Sequence, residues 1–310
     1  MSNAIVGTYA ELPHRINEVN FEYKFESIST RARFFYIPFR AGTPNLDDFV
    51  DFLYYRIVEY CIPLKERRAA AEYVQRTCDH RKSTELHEKA KSLFIQSRAQ
   101  QSRAGEPGEL ILFSLLEGKF GAPQLACKMY LKTSTAMPVH GSDGIHALYD
   151  QESEELRILW GESKLHQDFS GALSSTLASV RKFLGRDGTP STRPREIQIV
   201  RDHISIENET FRKLILDHFD PYSALSNRRI EAFACLVGFD YDALKRNPRL
   251  IESQFVSEYQ TFTQEACREI AAKIGEQEVN DLEFIFLLLP FESLEQFRKK
   301  FFLRLGVSID

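Results

Sequence analysis

The sequence predicts an α/β layered fold, and three observations carry that prediction. Strand-like runs alternate with helical ones. Two of those runs, "EAFACLVGFDY" and "LEFIFLLLPF", lack polar alternation, and the second reads as a strand buried on both faces. Two further runs, "GIHALYD" and "ELRILWGESKL", are separated only by the polar turn "DQESE", which makes them a hairpin.

The remaining elements follow from local chemistry. "RARFFYIPFR" concentrates aromatic and β-branched residues and is the best early strand. "NLDDFVDFLYYRIVEYCI" spaces apolar residues by three and four, giving an amphipathic helix with Asn45 as its cap. Charged helical sequence continues from "LKERRAAAEYVQRTC" through "ELHEKAKSLFIQSRAQ", and the character changes near residue 104. In "GEPGELILFSLLEGKFG", Pro107 suits a first helical turn, while Gly118 and Gly121 provide a stop. "QLACKMYLKTS" fits a short helix or a strand equally well. "SGALSSTLASVRKFLG" is an amphipathic helix with Leu173, Leu177, Val180 and Leu184 in its stripe. After the turn "GRDGTPSTRP" come further helices, ending in "SLEQFRKKFFLRLG". With neither an internal repeat nor a low-complexity linker, only soft divisions follow: 1–104, 105–205 and 206–310, or a single domain.

Composition narrows the function. A chain of 310 residues can bury a sufficient core, and its 40 Lys and Arg against 44 Asp and Glu give a net charge of −4. That balance excludes a protein gripping nucleic acid with its whole surface, so any polyanion contact must be local or come through a partner. The five cysteines, Cys61, Cys78, Cys127, Cys235 and Cys267, form no CxxC pair and read as buried free thiols in a reducing compartment. No secretory pattern opens the chain and no apolar run approaches the ~20 residues of a membrane span, so a cytoplasmic, membrane-free protein is expected. A phosphate-binding GxxxxGK[ST] loop is missing, so no nucleotide cofactor is expected and any ATPase would be a separate chain. "RILWGES" is no nucleophile elbow.

The chemistry concentrates in "HGSDGIHALYDQESEELRILWGESK". A Mg²⁺ site for phosphodiester cleavage needs hard oxygen ligands, one or two of them carboxylates. The metal polarises the phosphate, and a nearby ammonium can hold the attacking water and stabilise developing charge. Asp143 stands at the mouth of the first hairpin strand, between Gly141 and Gly144, glycines that let a ligand approach the backbone. Glu162 and Lys164 are two apart, so on a strand they share a face, with Ser163 pointing away and its carbonyl left available. The same letters also fit an ordinary solvated hairpin.

Strand, turn, strand and helix with D…E-x-K resemble the core of the PD-(D/E)xK nuclease superfamily. More specifically, "MPVHGSDGIHAL" and "WGESKLH", with "DFLYYRIVEYCIPLKER", "FDPYS" and "LLLPFESLEQFRKKF", resemble the HamA family, the small subunit of the bacterial Hachiman anti-phage system. The likeness runs from about Asp47 to the C-terminus. It implies a PD-(D/E)xK nuclease-like core, a central mixed sheet flanked by helices, with helical additions at both ends. It also implies a metal-dependent DNase, using Mg²⁺ or Mn²⁺, held in check by a HamB-like helicase and released when that helicase senses damaged or invading DNA. In that likeness Asp143 and Glu162 bind the metal and Lys164 is the catalytic lysine. Glu109, in the helix before the hairpin, completes or supports the metal site. Ser142 stands where the superfamily pattern has proline.

Weaker candidates surround the motif. His140, His146 and His166 show no metal-ligand spacing and are expected to be satisfied or substrate-proximal, with His146 facing away from Asp143. Gln167 and Ser170 begin the next helix, whose amides could favour a phosphate. Arg181, Lys182, Arg186, Arg193, Arg195 and Arg201 form a basic segment that reads either as phosphate-contacting or as a solvated helix end. Arg298, Lys299, Lys300 and Arg304 are a lesser basic candidate, while Phe52, Tyr54, Tyr55 and Tyr60 fit a buried helix better than a base-stacking platform. Two alternatives stay open: a non-catalytic regulatory or adaptor subunit, and a nuclease directed at RNA.

Overall fold

The computed structural model describes residues 9–21, 23, 25, 29–100, 105–132, 141–246 and 250–307. Its strands are β1 (Asn17–Val19), β2 (Thr30–Tyr36), β3 (Phe39–Arg40), β4 (Thr43–Pro44), β5 (Gly144–Asp150), β6 (Glu155–His166), β7 (Arg229–Asp240) and β8 (Glu283–Phe291). Its helices are α1 (Leu46–Cys61), α2 (Leu64–Thr77), α3 (Arg81–Gln100), α4 (Glu106–Phe120), α5 (Lys128–Lys132), α6 (Phe169–Leu184), α7 (Arg193–His203), α8 (Glu209–Phe219), α9 (Asp242–Arg246), α10 (Glu252–Glu276) and α11 (Leu294–Arg304). The result is a mixed α/β protein. The main sheet has six strands in the order β1-β2-β8-β7-β6-β5. In the undecided stretch "QLACKMYLKTS", Lys128–Lys132 form the short helix α5, Gln124 makes an isolated antiparallel bridge to His146, and residues 133 and 134 lie outside the described residues.

The chain forms two compact units, one of residues 1–8, 55–160 and 191–231, the other of 9–54, 161–190 and 232–310. Each draws on all three of the stretches 1–104, 105–205 and 206–310.

In the second unit, β8 lies parallel to both neighbours: Phe34 of β2 pairs with Leu288, and Asp240 of β7 pairs with Phe291. Parallel neighbours need a crossover, and α10 provides it between β7 and β8. This explains the unalternating "FIFLLLPF": from Phe284 to Phe291 every β8 residue is buried. Phe169 of α6 meets Phe239 of β7 at 5.3 Å and Phe262 of α10 at 5.5 Å, joining strand and helices in one aromatic cluster. The Asp240 carboxylate accepts a hydrogen bond from the Leu294 amide at 2.7 Å, fixing the start of α11 to the end of β7. Gly238 of β7 lies against Leu165 of β6 so closely that a Cβ would come within 2.3 Å of its Cδ2. Gly238→Ala is therefore expected to destabilise the fold by about 1–3 kcal/mol, the usual cost of overpacking. A urea midpoint within error of the parent would show that Leu165 simply moves aside.

In the first unit α4 is apolar nearly all round, as a helix buried on every side must be: Leu110, Ile111, Leu112, Phe113, Leu115 and Leu116 are all buried. It packs against α3 and β5. Gly121, left-handed at φ 65°, is the stop. Gly118 stays inside the last turn, because only the residue past the helix end needs positive φ. The edge of β5 is tied down by the Leu125 amide, which donates to the Ile145 carbonyl at 2.7 Å.

Four of the five thiols are buried as expected; Cys78 is exposed. It ends α2 in a left-handed conformation at φ 54°, a turn position that carries it into solvent. Among the described residues no helix is long and apolar enough to cross a membrane.

Candidate active site

The hairpin forms as its alternation demands: β5 and β6 flank the turn 151–154. Glu162 and Lys164 do share a face of β6, and the lysine ammonium donates directly to the Glu162 carboxylate. The Glu162 side chain is 10% exposed and that of Lys164 is 28% exposed. A buried acid thus has a partly solvated cation at its mouth. The same ammonium lies 3.5 Å from the Ser163 carbonyl.

The other two carboxylates belong to the first unit. Glu109 faces inward from α4 and accepts a hydrogen bond from the Tyr60 hydroxyl at 2.6 Å. Tyr60 is fully buried, edged by Phe94 and Phe113 at 5.8 and 5.4 Å. Burial, then the neighbouring Glu109 and Asp143 charges, push its phenol well above the ordinary tyrosine range. It is a neutral donor to Glu109. Asp143, half-buried, lies just before the first residue of β5.

The network at the two residues before Asp143 was not legible as a motif. Lys128 of α5 and Glu196 of α7 form an ion pair with side chains 1% and 0% exposed. The ammonium donates to both Glu196 oxygens, at 2.8 and 2.7 Å, and to the Ser142 carbonyl. The Ser142 hydroxyl donates to Glu196 Oε2 at 3.0 Å. Gly141 leaves room for this carboxylate: a Cβ would sit 2.1 Å from Glu196 Oε1. Ser142, read first as a missing proline, supplies a hydroxyl donor that proline lacks. The one signal was Lys128 itself, a lone cation inside the apolar run "QLACKMYL".

Several weaker candidates turn out to be structural. His146 is buried, its Nδ1 2.8 Å from the Ala122 carbonyl oxygen and its ring 6.0 Å from Phe113. His166 has Nε2 3.4 Å from the Ser175 hydroxyl, and His140 lies outside the described residues. Helix α6 begins at Phe169, and its capping Asp168 accepts from the Gly171 amide at 2.6 Å. A carboxylate already occupies that helix N-terminus, which disfavours a phosphate there. Tyr60 and Phe52 are buried as expected, whereas Tyr55 is 63% exposed because it stands on the outer side of α1.

The basic segment is largely committed to internal partners. Arg181 donates to the Gln277 carbonyl at 2.9 Å, and Arg186 makes a two-pronged pair with Asp281 at 2.7 and 2.5 Å. Arg193 pairs with Glu231, which also accepts from the Trp160 indole at 2.9 Å. Lys182 and Arg201 are exposed, and Arg195 partly so. On α11, Arg304 pairs with Asp51 at 2.6 Å, and Arg298 donates to the Leu165 carbonyl at 2.8 Å.

Burial drives the His146 pKa from 6.5 down to about 4, the backbone hydrogen bond opposing only weakly. The unfolded chain therefore binds more protons between these values, so stability falls as pH drops from 6.5 toward 4. The loss expected from this residue is about 3 kcal/mol. His146→Phe should flatten that part of the stability–pH curve; an unchanged slope in urea titrations at pH 4.5 and 7 would exclude His146 as its source.

The candidate metal ligands Glu109, Asp143 and Glu162 offer only carboxylate oxygens, which suits a hard divalent cation in kind. Among the described residues, no three His, Cys, Asp or Glu side chains are grouped to hold one ready-made. Any such ion would therefore rest on fewer protein ligands and more water, the usual habit of Mg²⁺.

By class this is a mixed α/β protein presenting a glutamate–lysine pair on one strand of a hairpin, with Glu109 buried on the helix before it and Asp143 half-buried at the hairpin's entrance. The chain belongs to the HamA family, whose sequence model matches residues 13–305. That membership implies a component of the Hachiman anti-phage defence system. No curated protein sequence matches the chain.

Proposed function

We propose that this chain is a metal-dependent DNA endonuclease, the effector of a two-component anti-phage system, kept inactive by a partner helicase and released when that helicase meets aberrant DNA. The observation that carries the reading is the Glu162–Lys164 pair, a buried carboxylate with a partly solvated ammonium one hairpin after Asp143, in a chain of the HamA family. In this reading the carboxylates of Asp143 and Glu162 are the ligands of a Mg²⁺ or Mn²⁺ ion. The ion, when bound, polarises the scissile phosphate and makes hydroxide accessible near neutral pH.

The protein's own groups do the rest. The Lys164 ammonium, paired with Glu162, would orient a water and meet charge building on phosphate oxygens. Glu109, fixed by Tyr60, supports the site as a positioned acid. The acidic overall charge keeps intrinsic DNA affinity low, which suits an effector whose access to DNA is granted by a partner.

The test is cleavage of plasmid DNA and of an RNA of matched length in Mg²⁺, by the wild-type chain and by Glu162→Ala, each with and without the companion helicase. Metal-dependent DNA cleavage lost in the variant and suppressed by the helicase is the expected result. Undiminished cleavage by a Glu162→Ala preparation free of contaminating nuclease would sink the proposal, and preferential RNA cleavage would replace its substrate.

A second reading, a non-catalytic adaptor subunit, is favoured by the lack of a ready-made ligand group among the described residues. The two separate by linkage. A real metal site stabilises the fold by ~2.7 kcal/mol at one hundred times Kd, and an adaptor's melting temperature ignores Mg²⁺.

A further inference from the structure

We infer that the buried Lys128–Glu196 pair is a positioning device for Asp143, a clamp on the two residues that precede it. The inference rests on Asp143 serving as a metal ligand, as proposed above.

The clamp grips the backbone from both sides. The Lys128 ammonium holds the Ser142 carbonyl, and the Ser142 hydroxyl donates to Glu196 at 3.0 Å. The Glu196 carboxylate rests on Gly141, where a Cβ would meet its Cδ at 2.7 Å. On the other side of Asp143, β5 begins at Gly144. Asp143 is thus the single residue between a charged clamp and a paired strand.

Stability alone does not account for such a pair. Two fully desolvated charges cost about as much as they return, and well-packed apolar residues of similar volume often match or exceed them. What an apolar pair cannot do is hold one carbonyl, one hydroxyl and one Cα in a fixed direction. A carboxylate that must meet a cation benefits from that direction, because ligands held loosely bind metal weakly. Helices α5 and α7 come from stretches on either side of the hairpin, so the clamp also ties the strand entrance to two separate elements.

The test uses the full chain as wild type, as Lys128→Met/Glu196→Leu, as Ser142→Ala and as Asp143→Asn. Three readouts are taken: amide hydrogen exchange at residues 141–144 without metal, the Mg²⁺ concentration that half-saturates the rise in melting temperature, and plasmid cleavage against Mg²⁺. The double variant is expected to fold and to exchange those amides roughly tenfold faster. It should need about 10–100-fold more Mg²⁺ for both responses, with cleavage recovering at saturating metal. Ser142→Ala, which removes only a hydroxyl, should move the metal requirement in the same direction by a smaller factor. It stands in if the double variant does not fold.

Exchange and metal requirement unchanged in a folded clamp variant overturn the inference while leaving the nuclease reading intact. If instead the wild type shows no response to Mg²⁺, or Asp143→Asn responds as the wild type does, the role of Asp143 has failed and the inference falls with it.

Discussion

Lys128→Met is expected to cost the folded chain about 3–5 kcal/mol, because it strands a carboxylate in a site with no solvent. Glu196 has a fully buried side chain, paired with the equally buried Lys128 ammonium. The same substitution removes the donor to the Ser142 carbonyl. Removing both charges behaves differently: Lys128→Met/Glu196→Leu should recover most of the loss, since no unpaired charge remains. The two substitutions are therefore strongly non-additive, as contacting residues in one network are. Urea unfolding of the wild type, both single variants and the double variant closes the cycle. A Lys128→Met protein within 1 kcal/mol of the parent would mean that water reaches Glu196, and the pair would lose its standing as a dry clamp.

Lys164→Ala is expected to lower the rate of metal-dependent DNA cleavage by about 10²–10⁴-fold, the range for losing a group that moves a proton or stabilises charge in the transition state. Folding should lose less than with Lys128→Met, because solvent reaches this pair from the lysine side. The Lys164 side chain is more than a quarter exposed, and ion pairs with solvent access contribute little. Lys164→Arg keeps the charge but replaces a compact ammonium by a planar fork, so it should rescue only a minor part of the rate. Single-turnover cleavage of supercoiled plasmid at saturating Mg²⁺ measures the chemical step. If Lys164→Ala cuts as fast as the parent, the glutamate–lysine pair returns to being a solvated ion pair at a strand end.

The legibility of the molecule in its sequence divides along a physical line. Periodicity exposed the elements, because local burial patterns repeat with each element's own geometry. The hairpin of β5 and β6 and the doubly buried β8 stand where "GIHALYD", "ELRILWGESKL" and "LEFIFLLLPF" put them, whereas "RARFFYIPFR" breaks after Tyr36 into β2 and the separate short strand β3. The pairing of Glu162 with Lys164 was also legible, since residues two apart on a strand share a face whatever the rest of the chain does. The tertiary partners were not. Arg181, Arg186 and Arg193 read as a basic segment, yet each is spent on a carbonyl or carboxylate far along the chain: Gln277, Asp281 and Glu231.

Residue order by itself determined the class of fold and the strand that carries the glutamate and lysine, which rest on spacing, a short-range property; the family rests on the likeness of whole motifs, matched over residues 13–305. Only the tertiary structure decided that Tyr60 holds Glu109, that Lys128 and Glu196 grip Gly141 and Ser142, and that His146 is a buried neutral ring. Each of these depends on desolvation. A side chain is desolvated by segments remote in sequence, and neither composition nor period records which segments those will be.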